Sequence, residues 1–322
     1  MKQILKYASV AFALVLAVSI IGSCLTAGMA LIRAVAQNED WSVQSDGNFL
    51  WHRTEDGDVV FLGIRFDGGD VKSGTEQFPV SEVTSLTMDK IRGEVIVELW
   101  DGENVVVEYS DIPGEYKIQN HGGTLTIKGD NKFSWFSVPF SAFPKIHVKI
   151  PKECTLKTVK VDKGSGSMKM YDVSANSVYV ENGSGSLTIS GVDTSKLTVD
   201  SGSGSVKVSN TVAKELRVDS GSGSVRFTDI TAEKMTLDSG SGSVKYTGHL
   251  SGDCEFQTGS GSVSFEIYGK EEDYNIRADL GSGGLYINGE KQKDDANIKH
   301  KGAKHLLVVE AGSGRVSINF TE

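Results

Sequence analysis

The sequence predicts an all-β chain wound as a parallel β-solenoid, with two short strands per 19-residue coil and a transmembrane helix ahead of it. Three observations predict this. The phrase GSGS recurs at Gly164, Gly183, Gly202, Gly221, Gly240 and Gly259 with a strict period of 19, and degenerate copies follow from Gly281 (GSGG) and Gly312 (GSGR). A fixed period of that length marks stacked supersecondary units. Apolar and polar residues alternate on both sides of each phrase, the period-two pattern of a half-buried strand. Tyr7 to Ile32 is a run without a single charge, long enough to cross a bilayer as a helix.

In chain order, Lys2 and Lys6 precede the apolar run, which keeps the tip cytoplasmic and sends the remainder outward in a single pass. Residues 1–36 therefore read as a cytoplasmic tip and signal anchor. Two other fates stay open: cleavage after Ala36, where Ala34-Val35-Ala36 fits an A-x-A site, and lipidation at Cys24, where Ile21-Gly22-Ser23-Cys24 resembles a lipobox. Beyond Ala36 the chain carries 30 basic and 42 acidic residues, a net charge of −12. That field argues against nucleic acid and anionic lipid surfaces as partners.

Residues 37–80 read as a polar stalk with a hairpin around Val59 to Phe66, and residues 81–322 as the solenoid. Within it, 81–158 supply atypical N-terminal capping coils, built from VTSLTM, EVIVEL, NVVVEY, YKI, TLTI and KIHVKIP. Between the last two lies Asn131 to Phe143, where Phe133, Trp135, Phe136, Phe140 and Phe143 crowd a loop-like stretch. These five are the candidate partner contacts, an exposed aromatic patch; the competing reading is a lid over the open end of the core.

The regular coils occupy 159–268. Before each phrase stand two apolar columns, Val159, Val178, Leu197, Leu216, Met235, Cys254 and Val161, Val180, Val199, Val218, Leu237, Phe256. After it stand two more, Met168, Leu187, Val206, Val225, Val244, Val263 and Met170, Ile189, Val208, Phe227, Tyr246, Phe265. A second turn falls at Asp172, Gly191, Asn210, Asp229 and Gly248. The glycines opening each GSGS supply positive φ and close backbone approach at a bend repeated in every coil. With coils ~4.8 Å apart, about eight of them make a rod of roughly 40 Å. Residues 269–322 form degenerate C-terminal coils. The lysine-rich insertion Asn288 to His305 reads as a solvated side loop, and RVSINF as the final strand.

The most regular charged feature is the column Asp162, Glu181, Asp200, Asp219 and Asp238, followed by Gln257. Like charges stacked at strand spacing repel. Three devices offset this: bonds from the glycine-turn amides, pairing with the Lys169, Lys207, Arg226, Lys245 column, or calcium held between coils. The phrase lacks the spacing of the calcium-binding nonapeptide roll. Catalytic and metal signatures are absent from the sequence: the six histidines share no repeat column, and no HExxH or nucleophile elbow occurs. A carboxylate pair such as Asp200 and Asp219 leaves a polysaccharide-active enzyme as a remote alternative. Cys254 reads as a small core hydrophobe, and no disulfide framework or cofactor motif is present.

The run KIHVKIP, then LKTVKVDKGSGSMKM and the repeated LxVDSGSGSVKV, resembles the bacterial domain-of-unknown-function family 4097, described as candidate adhesins with GSG-type β-strand repeats. The resemblance spans roughly Val83 to Phe320. It implies a β-solenoid ectodomain, often membrane-tethered and mostly in Gram-positive bacteria, with some relatives beside envelope-stress partners such as the Lia-type proteins. It carries over no catalytic residues. The resulting expectation is a membrane-anchored, extracytoplasmic, non-enzymatic interaction module for a protein or a cell-envelope polymer. The alternative is an envelope-stress or regulatory accessory that binds a membrane partner.

Overall fold

The computed structural model describes residues 51–53, 59–61, 64–66, 71–113, 116–129 and 144–321. The expected membrane span, with its cleavage and lipidation alternatives, lies outside the described residues. Among the described residues, no helix is long and apolar enough to cross a membrane. The described strands fall into two compact units. The first holds a three-stranded antiparallel sheet of Trp51–Arg53, Val59–Phe61 and Ile64–Phe66. The hairpin expected around Val59 to Phe66 is part of it.

The second unit is the solenoid. Its strands pair in parallel with their equivalents one repeat on, Val159 with Val178, Leu197 with Leu216, and Met235 with Cys254. The strands after each phrase do the same, Met168 with Leu187 and Val225 with Val244. All four apolar columns are buried against one continuous core, most members at 0–1% exposure. One section of it is aromatic: Phe227, Tyr246 and Phe265 stack along one column at centroid spacings of 6.2 and 6.3 Å, and Phe256 meets Phe265 edge-on at 4.7 Å. The Tyr246 hydroxyl is satisfied inside this core, 2.7 Å from the His249 carbonyl oxygen.

Each regular coil has three sides rather than the two expected. In the coil from Ala175, inward positions run Ala175, Val178, Val180, Asn182, Leu187, Ile189 and Val192. The alternation slips between 175 and 178, between 182 and 187, and between 189 and 192, and each slip is a corner. The last follows the second-turn column, where Asp172, Gly191, Asn210 and Asp229 hold φ between 47 and 70°. The third side is short, with two inward positions per coil, Val173, Val192, Thr211 and Ile230 at the first and the small Ala175, Thr194, Ala213 and Ala232 at the second, which is why its apolar signal is weak in the sequence.

Ten rungs stack among the described residues, and the spatial order differs from the chain order at both ends. At the amino end, Ser85–Arg92 and Glu94–Trp100 pair directly beneath the first regular coil. The later segments Thr124–Lys128 and Lys145–Pro151 form the terminal rung below them. At the carboxyl end, His305–Thr321 lies between the Cys254 coil and Tyr274–Ile287. RVSINF is therefore last in the chain but second from the end of the rod.

Antiparallel strands close both ends. At the amino end, Lys117–His121 and Asn104–Pro113 cover the terminal rung, and Val71–Pro79, within the stretch expected as stalk, pairs on Asn104–Pro113. The insertion Asn288 to His305, expected as a solvated side loop, lies across the other end. Ile298 pairs with Ile276, Lys291 with Tyr286, and the Ala278 and Leu280 amides donate to Ala296 and Asp294. An open parallel edge is a template for aggregation, and a folded-back segment removes it.

Candidate functional site

The five aromatic residues expected to contact a partner, Phe133, Trp135, Phe136, Phe140 and Phe143, lie outside the described residues. Among the described residues, the candidate site is the GSGS corner and the two sheet faces meeting at it.

At the corner, the two glycines of each phrase do different work. The opening glycines, Gly183 to Gly259, sit so close to the coil below that a Cβ would come within 2.6–2.7 Å of its carbonyl oxygen; at Gly164 a Cβ would meet the Ile91 carbonyl oxygen at 3.9 Å, an ordinary contact. Positive φ, expected at these positions, belongs instead to the second glycines, Gly166 to Gly261, at 100 to 131°. The chain reverses its side-chain phase there, and a Cβ would overlap the carbonyl oxygen of the coil below.

One face carries the carboxylate column. Glu181, Asp200, Asp219 and Asp238 are in direct register, one strand spacing apart. A local ion pair, none of the three devices expected, is visible at Arg217, 3.8 Å from Asp219 on the same face. Desolvation, then the charges of Asp238 and Asp200, hold the Asp219 carboxyl above its ordinary value, with Arg217 working the other way. Beyond Asp238 the column passes through the neutral Gln257, then Glu310 and Asp279, beside a shallow open groove of about 410 Å³. Among the described residues, no three His, Cys, Asp or Glu side chains converge as metal ligands.

The other face carries the cations. Lys207, Arg226 and Lys245 stand in register along the rod, flanked by serine and threonine ranks at 205, 224, 243 and 209, 228, 247. Lys245 pairs with Glu266 at 3.3 Å, and Lys169 with Glu94 at 3.1 Å. The acidic and basic columns thus occupy separate sides, and pairing across the corner is not the arrangement. Asp200 and Asp219 stand side by side in direct register on one face.

Sequence reasoning missed a further column. The residue before each GSGS points inward: Lys163, Asn182, Ser201, Ser220, Ser239 and Thr258 are all at most 6% exposed. Its only signal was a polar residue holding the same parity as the buried apolar residues two and four positions before it.

A family description, Toastrack DUF4097, matches residues 83–319. The chain belongs to this Toastrack family. No curated protein matches it. Among solved structures, a candidate adhesin from Bacteroides fragilis is 14% identical over 77% of this chain and 97% of its own, with a TM-score of 0.46. A candidate adhesin from Parabacteroides distasonis is 15% identical over 78% and 98%, also at 0.46. A candidate lipid-binding protein from the same species is 15% identical over 79% and 98%, at 0.42. The Toastrack match begins at Val83 and ends at Asn319, so it takes in both swapped ends as well as the regular coils.

Proposed function

We propose that this Toastrack chain is a non-enzymatic, adhesin-like interaction module, tethered to the membrane by its N-terminal apolar run with the solenoid outside the cytoplasm. One observation carries the reading. Rungs in register turn single side chains into continuous rows, Lys207, Arg226 and Lys245 on one face and Asp200, Asp219 and Asp238 on another. Rows at ~4.8 Å intervals on a rigid backbone suit an extended partner, a protein edge or an envelope polymer, better than a small substrate. The β ladder already orders the backbone of such a surface, so binding has only its side chains left to order.

The test is chemical crosslinking of the full-length protein in its own cells, followed by identification of what is captured, with a Lys207→Glu, Arg226→Glu, Lys245→Glu variant in parallel. Capture of wall polymer or foreign-surface ligand that the variant loses supports the module. Capture of one membrane protein, indifferent to the charge reversal, moves the assignment to the regulatory accessory. Cleavage of an envelope glycan by the purified chain would overturn both.

A further inference from the structure

The inward column before each GSGS is the feature the surface reading leaves unused. Its members are stacked in strict register, Lys163 on Asn182, then Ser201, Ser220, Ser239 and Thr258. Both ends are closed by apolar residues, Ile91 beneath Lys163 and Ala311 beyond Thr258. Six buried side-chain polar atoms lack a protein hydrogen-bond partner among the described residues, and five of them belong to this column: Lys163 Nζ, Asn182 Oδ1, Ser220 Oγ, Ser239 Oγ and Thr258 Oγ1. The one contact within the column, Asn182 Nδ2 to Ser201 Oγ, is long at 3.4 Å.

Five bare polar groups in one core would together cost as much as the whole folding stability of an ordinary domain. A fold cannot carry that, so the groups share a ligand. It has to be small, able both to donate and to accept, and tolerant of repetition at each coil, since the groups include an amine, an amide oxygen and three hydroxyls. A serine also fills far less of the corner than the leucine that holds the same column at position 280.

We propose that the inner GSGS corner is a built binding site for a file of water molecules, running inside the rod from Lys163 to Thr258. Each water bridges side chains of successive coils and takes its remaining bonds from its neighbours in the file, which gives the two to four polar partners that a buried water requires. Lys163 heads the file as its donor. The column is therefore a hydrated seam in an otherwise apolar core, and it explains why small polar residues recur at a position whose neighbours are valine and leucine.

The test is the double substitution Ser220→Ala, Ser239→Ala in the full-length protein, read two ways. Magnetic relaxation dispersion of the water oxygen counts long-lived internal waters, and urea unfolding gives the midpoint. For a hydrated seam, the variant loses about two long-lived waters and its midpoint falls, because the remaining waters lose partners. For a dry seam, the water count is unchanged and the midpoint rises, because two unsatisfied hydroxyls have been replaced by methyl groups; that result overturns the proposal. The Lys163→Met variant gives a second reading, with loss of water at the head of the file expected and an unchanged count counting against it.

Discussion

Gln257 donates through its side-chain amide to Glu310, 53 residues further along the chain, at 3.2 Å. In the regular coils the corresponding neighbour belongs to the very next repeat and carries the same charge. The neutral amide thus sits at the splice, where the returning end of the chain enters the stack, and it turns a carboxylate-on-carboxylate step into a hydrogen bond. Cys254 likewise pairs with Leu307, and Ile276, its equivalent in the next repeat along the chain, lies on the far side of Leu307.

The splice makes the carboxyl end a clamp. Tyr274–Ile287 has its parallel partner only in His305–Thr321 among the described residues. Truncation after Lys304 is expected to remove amide-exchange protection from 253–287 while 175–241 stays protected. Exchange followed by mass spectrometry checks it; full protection over 274–287 in the truncated chain would show that the terminal rung stands without the clamp.

The two glycines of a phrase should respond differently to alanine. Gly204→Ala forces a left-handed residue against the Gly185 carbonyl and is expected to cost about 2–4 kcal/mol. Gly164→Ala, with ordinary space above Ile91 and no positive φ, is expected to stay within ~1 kcal/mol. Urea unfolding of both variants decides it, and equal losses would contradict the corner geometry.

Burial lowers the Lys163 ammonium to about 8 from its ordinary value of 10.5. Between those values the unfolded chain holds a proton that the folded chain has released. The penalty from this group is therefore complete below pH 8 and fades as pH rises towards 10.5. The stability of the Lys163→Met variant relative to the wild type should be highest at pH 7 and fall by pH 10. A gap that is constant with pH would mean that the amine titrates normally.

The raised Asp219 carboxyl gives the opposite dependence. Its folded form prefers the proton, so its penalty is present at neutral pH and vanishes in acid below the unfolded value of 3.8. Asp219→Asn is expected to stabilise by ~0.5 kcal/mol or less at pH 7, because the group is half-exposed and screened. At pH 3 the two proteins should unfold together. Calorimetry at the two pH values measures this.

Much of the rod was legible one residue at a time. The strict period of 19, the parity of valine and leucine on each side of GSGS, and the turn column at Asp172 to Gly248 are local, and each is where the structure puts it. The third side escaped because it offers only two inward positions per coil, and the second of them, Ala175, Ala213 or Ala232, gives too little apolar contrast to complete an alternation. The inward polar column escaped because serine in a GSGS context reads as a turn residue, and its inward direction depends on the phase reversal at the next glycine.

The repeating coil is written in the chain itself, since a pattern that stacks on its own copy in identical register leaves one way to bury its apolar columns. The ends are not. There the repeat stops, two rungs compete for each terminal place, and the choice falls to whichever has a covering antiparallel strand within reach: Asn104–Pro113 for the Lys145 rung, and Asn297–Ile298 for the Tyr274 rung. That choice depends on closing an exposed edge, a property of the assembled sheet that no single coil encodes.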